Sequence, residues 1–220
     1  MLTFQLLVTE SATKIGVVLL AMEWGSKRGR MATFIRKLAT ELAKHPELQV
    51  FVFLPRCDEE EKNEAQRDNV TLVQATEVHG YDEYYCLRFP PDDLHIDFVI
   101  GNGVELGQVG QWIQESRNCK WVQFMHTDLE DLGMFSGHPD AISNGQEAHQ
   151  LTVGLGEKAD LVVAVGEKLA ECFRTFLRYC EKDQQVFVFT PDIFSELSDV
   201  RHGSTEKKET KLIVFLGVSH

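Results

Sequence analysis

Positive charge is scarce in this sequence. The 220 residues contain 22 lysines and arginines against 34 aspartates and glutamates, so the formal net charge at pH 7 is -12. General nucleic-acid binding needs a basic surface, and adsorption to anionic membranes needs clustered lysines and arginines. The charge balance therefore argues against a nucleic-acid partner and against attachment to a membrane surface.

Paired cysteines and long apolar runs are also missing. The chain has five cysteines, an odd number, and no two of them stand in CxxC spacing. We therefore expect neither a disulfide framework nor a metal site, and reduced thiols fit a cytoplasmic protein. The first residues have no positively charged segment ahead of an apolar core, so no signal peptide is expected. No apolar run reaches the length that spans a membrane.

What the sequence does contain is a repeated alternation of short apolar runs and amphipathic stretches. The apolar runs predict seven strands, at residues 15–20, 48–54, 70–74, 96–100, 120–125, 161–165 and 186–189. Helical periodicity follows most of them, and residues 31–44 are the clearest case. This alternation predicts a Rossmann-like α/β fold, with a mostly parallel seven-stranded sheet and helices on both faces. Ligands of such sheets bind at the carboxyl ends of the strands.

The loop after the first predicted strand combines glycines with basic residues. Gly25 and Gly29 flank Ser26, Lys27 and Arg28, just before the first amphipathic stretch. The positive end of a helix dipole does not stabilise nearby cations, unless an anion binds to both the cations and the helix N-terminus. Two interpretations stay open: a phosphate-binding loop, or ordinary solvated residues. The spacing is neither that of a P-loop nor GxGxxG.

Two later loops should lie at the same edge of the sheet. Residues 101–107 read GNGVELG after the fourth strand, and His126, Thr127 and Asp128 follow the fifth. The glycine spacing superficially matches a dinucleotide-binding turn, but the acidic residue expected at the end of the next strand is missing. We therefore predict no nicotinamide cofactor.

An ordered set of segments carries a resemblance to a known family. The segments are the glycine loop and helix of 25–44, IDFVIGNG at 96–103, WVQFMHTDLEDL at 121–132, and EKADLVVAVGEKLAECF at 157–173 followed by VFVFTPDIF at 186–194. They resemble the N-terminal domain of GT-B glycosyltransferases, specifically the retaining, sugar-nucleotide-dependent enzymes of the family-four type. The resemblance extends over nearly the whole chain.

The resemblance implies a role for the residues of each loop. His126 matches the family's histidine beside the transferred sugar, where it would contact the sugar or stabilise developing charge. Gly25, Ser26 and Gly29 match the loop near phosphate or acceptor. Trp24 stands beside that loop, where its ring would either stack on a sugar or cover the end of the strand.

The remaining candidate residues are expected on the acceptor side of the cleft. Asn102 and Gly103 are expected to line it, with Thr127 and Asp128 beside His126. Two interpretations of the carboxylates at 128, 130 and 131 stay open: a base that orients an acceptor hydroxyl, or a solvated acidic loop. Trp112 and Trp121 fall on a predicted helix and a predicted strand and are expected in the core.

The resemblance also divides the chain. Residues 1–197 would form the N-terminal domain, 198–210 a polar linker or loop, and 211–220 the start of a second, truncated domain. In the family, the C-terminal domain of the same chain holds most of the donor. The implied partners are a nucleotide diphosphate sugar as donor substrate and an unidentified acceptor, without a separate cofactor. We expect the fragment alone to be inactive.

A second hypothesis, that the chain is a binding module and not an enzyme, also stays open. Gly166 and Pro191-Asp192-Ile193 stand where the family has a small polar residue and a Pro-Asn-Gly turn, and Ser26 replaces the second of a glycine pair. These departures place the chain in a divergent branch. They also fit a catalytically inactive, glycosyltransferase-like binding or interaction module of a larger protein.

Overall fold

The computed structural model of the protein describes residues 14–25, 30–126, 141–179 and 185–190. Its strands are β1 (Ile15–Leu20), β2 (Leu48–Leu54), β3 (Val70–Gln74), β4 (Phe98–Asn102), β5 (Lys120–Met125), β6 (Leu161–Val165) and β7 (Val186–Phe189). Its helices are α1 (Arg30–Ala43), α2 (Glu59–Arg67), α3 (Glu83–Cys86), α4 (Gly103–Arg117), α5 (Ala141–Lys158) and α6 (Glu167–Phe176), followed by a 3₁₀ turn at Leu177–Tyr179. None of the helices in these ranges is long and apolar enough to cross a membrane. The predicted linker at 198–210 and second-domain start at 211–220 lie outside the described residues.

The seven strands form one parallel sheet in the order β3-β2-β1-β4-β5-β6-β7. This arrangement confirms the predicted Rossmann-like fold. The chain builds outward from β1 to β3, crosses back over the sheet, and then builds outward in the other direction from β4 to β7. Ligands of open parallel sheets bind at such a reversal of strand order. The carboxyl ends of β1, β4 and β5 are neighbours at this point.

Helices cover both faces of the sheet. Ile35 and Leu38 of α1 and Ala65 of α2 pack against one face. The other face is covered by α3, α4, α5 and α6, through residues such as Leu106 and Leu155. Successive side chains of a strand point to opposite faces of the sheet, so a strand that is buried on both faces is apolar at every position. This explains why the sequence shows continuous apolar runs rather than alternation.

Two aspartates fix the amino edge of the sheet, opposite the carboxyl ends. Asp97, just before β4, accepts a hydrogen bond from the backbone N–H of Gly16 in β1 at 2.7 Å. Asp160, just before β6, accepts one from the backbone N–H of Trp121 in β5 at 2.9 Å. Burial opposes ionisation of Asp160, but the bonds from Trp121 and Lys120 outweigh it and lower the pKa of this carboxyl. Both aspartates therefore have structural roles.

The bounds of β4 differ from the prediction. The strand covers Phe98–Asn102 instead of residues 96–100, because Gly101 and Asn102 continue the ladder by pairing with Gln123 and Phe124 of β5. The sequence interpretation placed the end of the strand at its glycines. The extension matters for the site, because it makes Asn102 the last residue of a strand instead of a loop residue.

The surroundings of α3 also differ from the prediction. Residues 77–93, whose sequence shows no clear periodicity, contain the one-turn helix α3, which Asp82 caps at the N–H of Tyr85. Trp112 of α4 is 45% exposed instead of buried, because it lies at the surface with the Arg88 guanidinium 5.4 Å from its ring centroid. Trp121 is fully buried, as predicted.

Candidate functional site

A short series of hydrogen bonds joins the carboxyl ends of β1, β4 and β5. Nδ2 of Asn102, at the end of β4, donates to the carbonyl oxygen of Leu20 at the end of β1, at 3.4 Å. Nε2 of His126, directly after β5, lies 3.0 Å from Oδ1 of Asn102. The predicted convergence of these strand ends at one edge is therefore present as direct contact between their residues.

His126 packs among aromatic rings. The ring of Phe34, in the second turn of α1, meets the imidazole edge to face with 4.6 Å between centroids. The ring of Phe124 lies 6.0 Å away and nearly parallel to it. Phe189, at the end of β7, contacts both phenylalanines. Because Phe34 belongs to the helix that follows the first glycine loop, the beginning of α1 lies beside His126.

These surroundings keep the imidazole of His126 uncharged at neutral pH. Burial lowers the pKa of His126 from 6.5 to about 4, because desolvation penalises the protonated form. One ring nitrogen of a neutral imidazole carries a proton, and the other carries a lone pair. The site thus offers a neutral hydrogen-bonding group at this position instead of a cation.

A buried glutamine holds the first turn of α4 against β5. Gln123 is fully buried, and its Nε2 donates to the carbonyl oxygens of Gly103 at 2.6 Å and Phe124 at 3.2 Å. Gly103 has a φ of 65°, a conformation that favours glycine. The sequence interpretation missed Gln123, although a lone glutamine inside the apolar run KWVQFM is a signal that could have revealed it.

The other glycines of GNGVELG allow close packing between α4 and the sheet. A Cβ atom at Gly101 would lie 2.8 Å from the carbonyl oxygen of Leu106. A Cβ atom at Gly107 would lie 2.7 Å from Oε1 of Gln123. Close approach of the helix to β4 and β5 accounts for the glycine spacing without a dinucleotide.

The structure describes the first loop only at its beginning. Gly25 is half-buried and faces Glu61 in the first turn of α2. Trp24 is fully buried, with the Arg36 guanidinium 5.5 Å from its ring centroid. Of the two roles considered for Trp24, covering the strand end is correct, since no face of the ring is free to stack on a sugar.

Several predicted site residues lie outside the described residues, so their roles stay predictions. They are Ser26, Lys27, Arg28, Gly29, Thr127 and Asp128, together with the neighbouring Glu130 and Asp131. Of the predicted set, the structure brings Asn102 and His126 into direct contact and places Gly103 next to Asn102.

Within the described ranges, no three His, Cys, Asp or Glu side chains are arranged to hold a metal ion. The cysteines described there are free thiols, and burial raises the pKa of Cys119 to about 11. A thiol with that pKa is protonated at neutral pH and is a poor nucleophile.

Comparison with known proteins identifies a family. The family model described as "Family 4 Glycosyltransferase in conflict systems" matches residues 18–218. No curated protein matches the chain.

Several solved structures share the fold. Sucrose-phosphate synthase from Thermosynechococcus elongatus superposes with a TM-score of 0.59 at 15% identity, covering 80% of this chain and 48% of that one. UGT71G1 of Medicago truncatula, complexed with UDP-glucose, gives 0.53 at 10% identity, covering 93% and 57%. Apo UGT2 of Phytolacca americana gives 0.52 at 10% identity, covering 80% and 51%. At these identities the likeness shows the fold alone, and this chain spans about half the length of each neighbour.

Proposed function

The chain belongs to the family 4 glycosyltransferases of conflict systems, and from that premise we propose that it is the acceptor-side half of a sugar-nucleotide-dependent glycosyltransferase. Its structural neighbours are GT-B glycosyltransferases of which it covers about half. A second, C-terminal domain of the same protein would complete the cleft. The hydrogen-bonded contact of Leu20, Asn102 and His126 carries the proposal, because it lies at the switch point where such sheets bind ligands.

In the proposed reaction the transferred sugar lies against His126. Retaining transfer passes through an oxocarbenium-like state, in which positive charge develops on the sugar ring. An imidazole with a pKa of about 4 is uncharged at pH 7. It can therefore hydrogen-bond to the sugar without repelling the developing charge, and a lone pair directed at the ring would stabilise it.

The diphosphate of the donor needs positive groups, and this chain has a net charge of -12. Lys27 and Arg28 precede the N-terminus of α1, whose free N–H groups and dipole also favour an anion. The contact between Phe34 of α1 and His126 supports a shared ligand, since it keeps the beginning of this helix next to the imidazole.

The remaining predicted residues would face the acceptor. Gly103 opens α4 next to Asn102, and Thr127 and Asp128 follow His126 along the chain. Their positions in the sequence support an acceptor site on the β4 and β5 side of the cleft. Because the donor pocket needs both domains, we expect the chain alone to catalyse no transfer.

An inactive binding module is the second candidate function. Gly166 is the N-cap residue of α6 and offers no side chain to cap the helix or to contact a ligand. It replaces the small polar residue that the family places there, and the turn at 191–193 departs from the family as well. A module of this kind would keep the fold and the cleft but would not turn over a donor.

Calorimetry on the full-length protein tests the proposed function. UDP-glucose, GDP-mannose and ADP-glucose are titrated into the wild type and into the double variant Lys27→Ala with Arg28→Ala. We expect one of the three to bind and the double variant to bind it about tenfold more weakly or worse, as expected for lost charge-assisted hydrogen bonds.

The matched control is Lys44→Ala with Arg67→Ala. It removes the same two positive charges at the C-terminal ends of α1 and α2, on the opposite edge of the sheet. Its affinity should stay within about twofold of the wild type, since screening weakens charge effects at that distance. The proposal is wrong if none of the three nucleotide sugars binds. Binding without release of the nucleotide product, with His126 intact, would favour the module.

A further inference from the structure

We infer that Asn102 is a positioning residue for His126, which it holds as the Nε2–H tautomer so that Nδ1 is the nitrogen that accepts a hydrogen bond from the donor sugar. The catalytic consequence rests on the proposed function, whereas the tautomer is a property of the protein itself. Asn102 is 5% exposed and both ends of its amide are engaged. These observations favour action through His126 over direct contact with a ligand.

The orientation of the Asn102 amide follows from its contact with the backbone. One end of the amide lies 3.4 Å from the carbonyl oxygen of Leu20. A carbonyl oxygen can only accept, so the NH₂ group must face it. The opposite orientation would place two acceptor oxygens against each other in a buried position. Oδ1 of Asn102 is thereby turned toward His126.

The tautomer of His126 follows from the orientation of Asn102. Oδ1 only accepts, so Nε2 of His126, 3.0 Å away, must donate. A neutral imidazole has a single proton, and with that proton on Nε2 the lone pair is on Nδ1. The Leu20 carbonyl thus fixes the orientation of the Asn102 amide, and the amide fixes the tautomer of the ring that would contact the sugar.

Among the described neighbours of His126, Asn102 is the one that sets its tautomer. Phe34 from α1 and Phe124 from β5 pack against the imidazole with apolar rings. None of the described groups that face it titrates or carries charge, and burial is the cause of its low pKa. In the part of the chain that the structure describes, Asn102 is its hydrogen-bond partner.

The proposed role has a direct chemical meaning. A sugar hydroxyl that donates to Nδ1 is oriented by a lone pair, and this lone pair also favours positive charge on the sugar. The Nδ1–H tautomer would instead present a proton to the sugar and leave Oδ1 of Asn102 facing a lone pair. Loss of the fixed tautomer should therefore lower kcat more than it raises KM, since the contact strengthens as charge develops.

The tautomer can be measured by NMR on the full-length protein labelled with ¹⁵N-histidine. The His126 signals are identified by their loss in His126→Gln. At pH 7 we expect the wild type to show protonated Nε2 and unprotonated Nδ1. Asn102→Leu, which has a similar shape and no acceptor, should populate the Nδ1–H form to a measurable fraction. His95, which pairs with Asp97 at the amino edge, serves as internal reference and should not change.

Kinetic measurements then distinguish a positioning role of Asn102 from a general effect of the substitution on folding. Asn102→Leu should lower kcat about tenfold with less than about a twofold change in the KM for the donor. Asn102→Asp keeps an acceptor opposite Nε2 and should retain the tautomer.

Two results would overturn the inference. They are an Nδ1–H tautomer in the wild type, or an unchanged tautomer and kcat in Asn102→Leu. If the full-length protein shows no transfer at all, the tautomers of the wild type and of Asn102→Leu alone decide the inference. A failure of the proposed function is in this way distinguishable from a failure of the role of Asn102.

Discussion

At the scale of single residues, His126 shows how burial changes a common side chain. The imidazole sits between Phe34 and Phe124 and makes its hydrogen bond to Asn102. Apolar rings do not replace the water that would solvate a charged imidazole, so the protonated form is disfavoured. A histidine that is a pH switch in solution is a fixed neutral group here.

The low pKa of His126 makes the stability of the protein depend on pH. Its folded pKa is about 4 and its ordinary value is 6.5, so between these values the unfolded chain binds more protons than the native one. Stability therefore rises with pH across this window and falls as the pH drops toward 4. We expect His126→Phe to lose less stability than the wild type between pH 7 and pH 4.5, by on the order of 2 kcal/mol.

Urea denaturation at the two pH values measures this difference. Comparing each protein with itself removes any constant effect of the substitution, such as the lost bond to Asn102. Equal losses of stability in the two proteins would show that His126 titrates near its ordinary pKa.

At the scale of elements, the contact between α4 and β5 depends on glycines. A Cβ atom at Gly110 would lie 2.7 Å from Nε1 of Trp121, a fully buried side chain with little room to move. The glycine at 107 meets Gln123 in the same way. The helix therefore lies close to the strand, and its first turn reaches the edge where Asn102 and His126 meet.

Substitution of helix glycines by alanine should have opposite effects in α4 and α5. Alanine is favoured over glycine inside a helix by about 1 kcal/mol, whereas overpacking a core costs about 1–3 kcal/mol. Gly110→Ala should therefore destabilise the protein, by up to about 2 kcal/mol. Gly154→Ala in α5 is the matched control, since a Cβ atom there meets nothing within 4 Å, and it should stabilise.

Thermal or urea unfolding of the two variants checks this prediction. Stabilisation by both substitutions would mean that Trp121 can move aside, and that α4 does not need glycine to approach the sheet.

At the scale of the whole molecule, the excess of negative charge opposes both folding and the proposed ligand. A net charge of -12 on 220 residues produces self-repulsion in the compact state. The proposed donor is an anion as well. Local positive groups, at the first loop and in a second domain, are therefore required for the proposed function.

Added salt should stabilise the chain at neutral pH. Raising NaCl from about 20 mM to about 300 mM shortens the screening length and weakens the repulsion. We expect the unfolding temperature to rise at pH 7.5 and to change much less near pH 5, where the net charge is close to zero. Equal shifts at the two pH values would show that salt acts through something other than net charge.

The sequence predicts much of this fold because burial on both faces leaves a local trace. Each strand is an apolar run, and the structure places the strands at 48–54 and 120–125 where the runs predict them. The position of His126 directly after β5 was visible for the same reason. The sequence left two roles open for Trp24 and wrongly placed Trp112 in the core, because the exposure of a side chain depends on which elements pack over it, and Trp24 is fully buried whereas Trp112 is 45% exposed.

The sequence by itself determined the class of fold and predicted the edge that is proposed for a ligand, since both follow from strand and helix periodicity along the chain. Only the tertiary structure decided the surroundings of His126, because Phe34 and Asn102 contact it from distant segments and Leu20, from a third segment, contacts Asn102. Hydrogen-bond direction and desolvation depend on those distances, and no pattern of neighbouring residues encodes them.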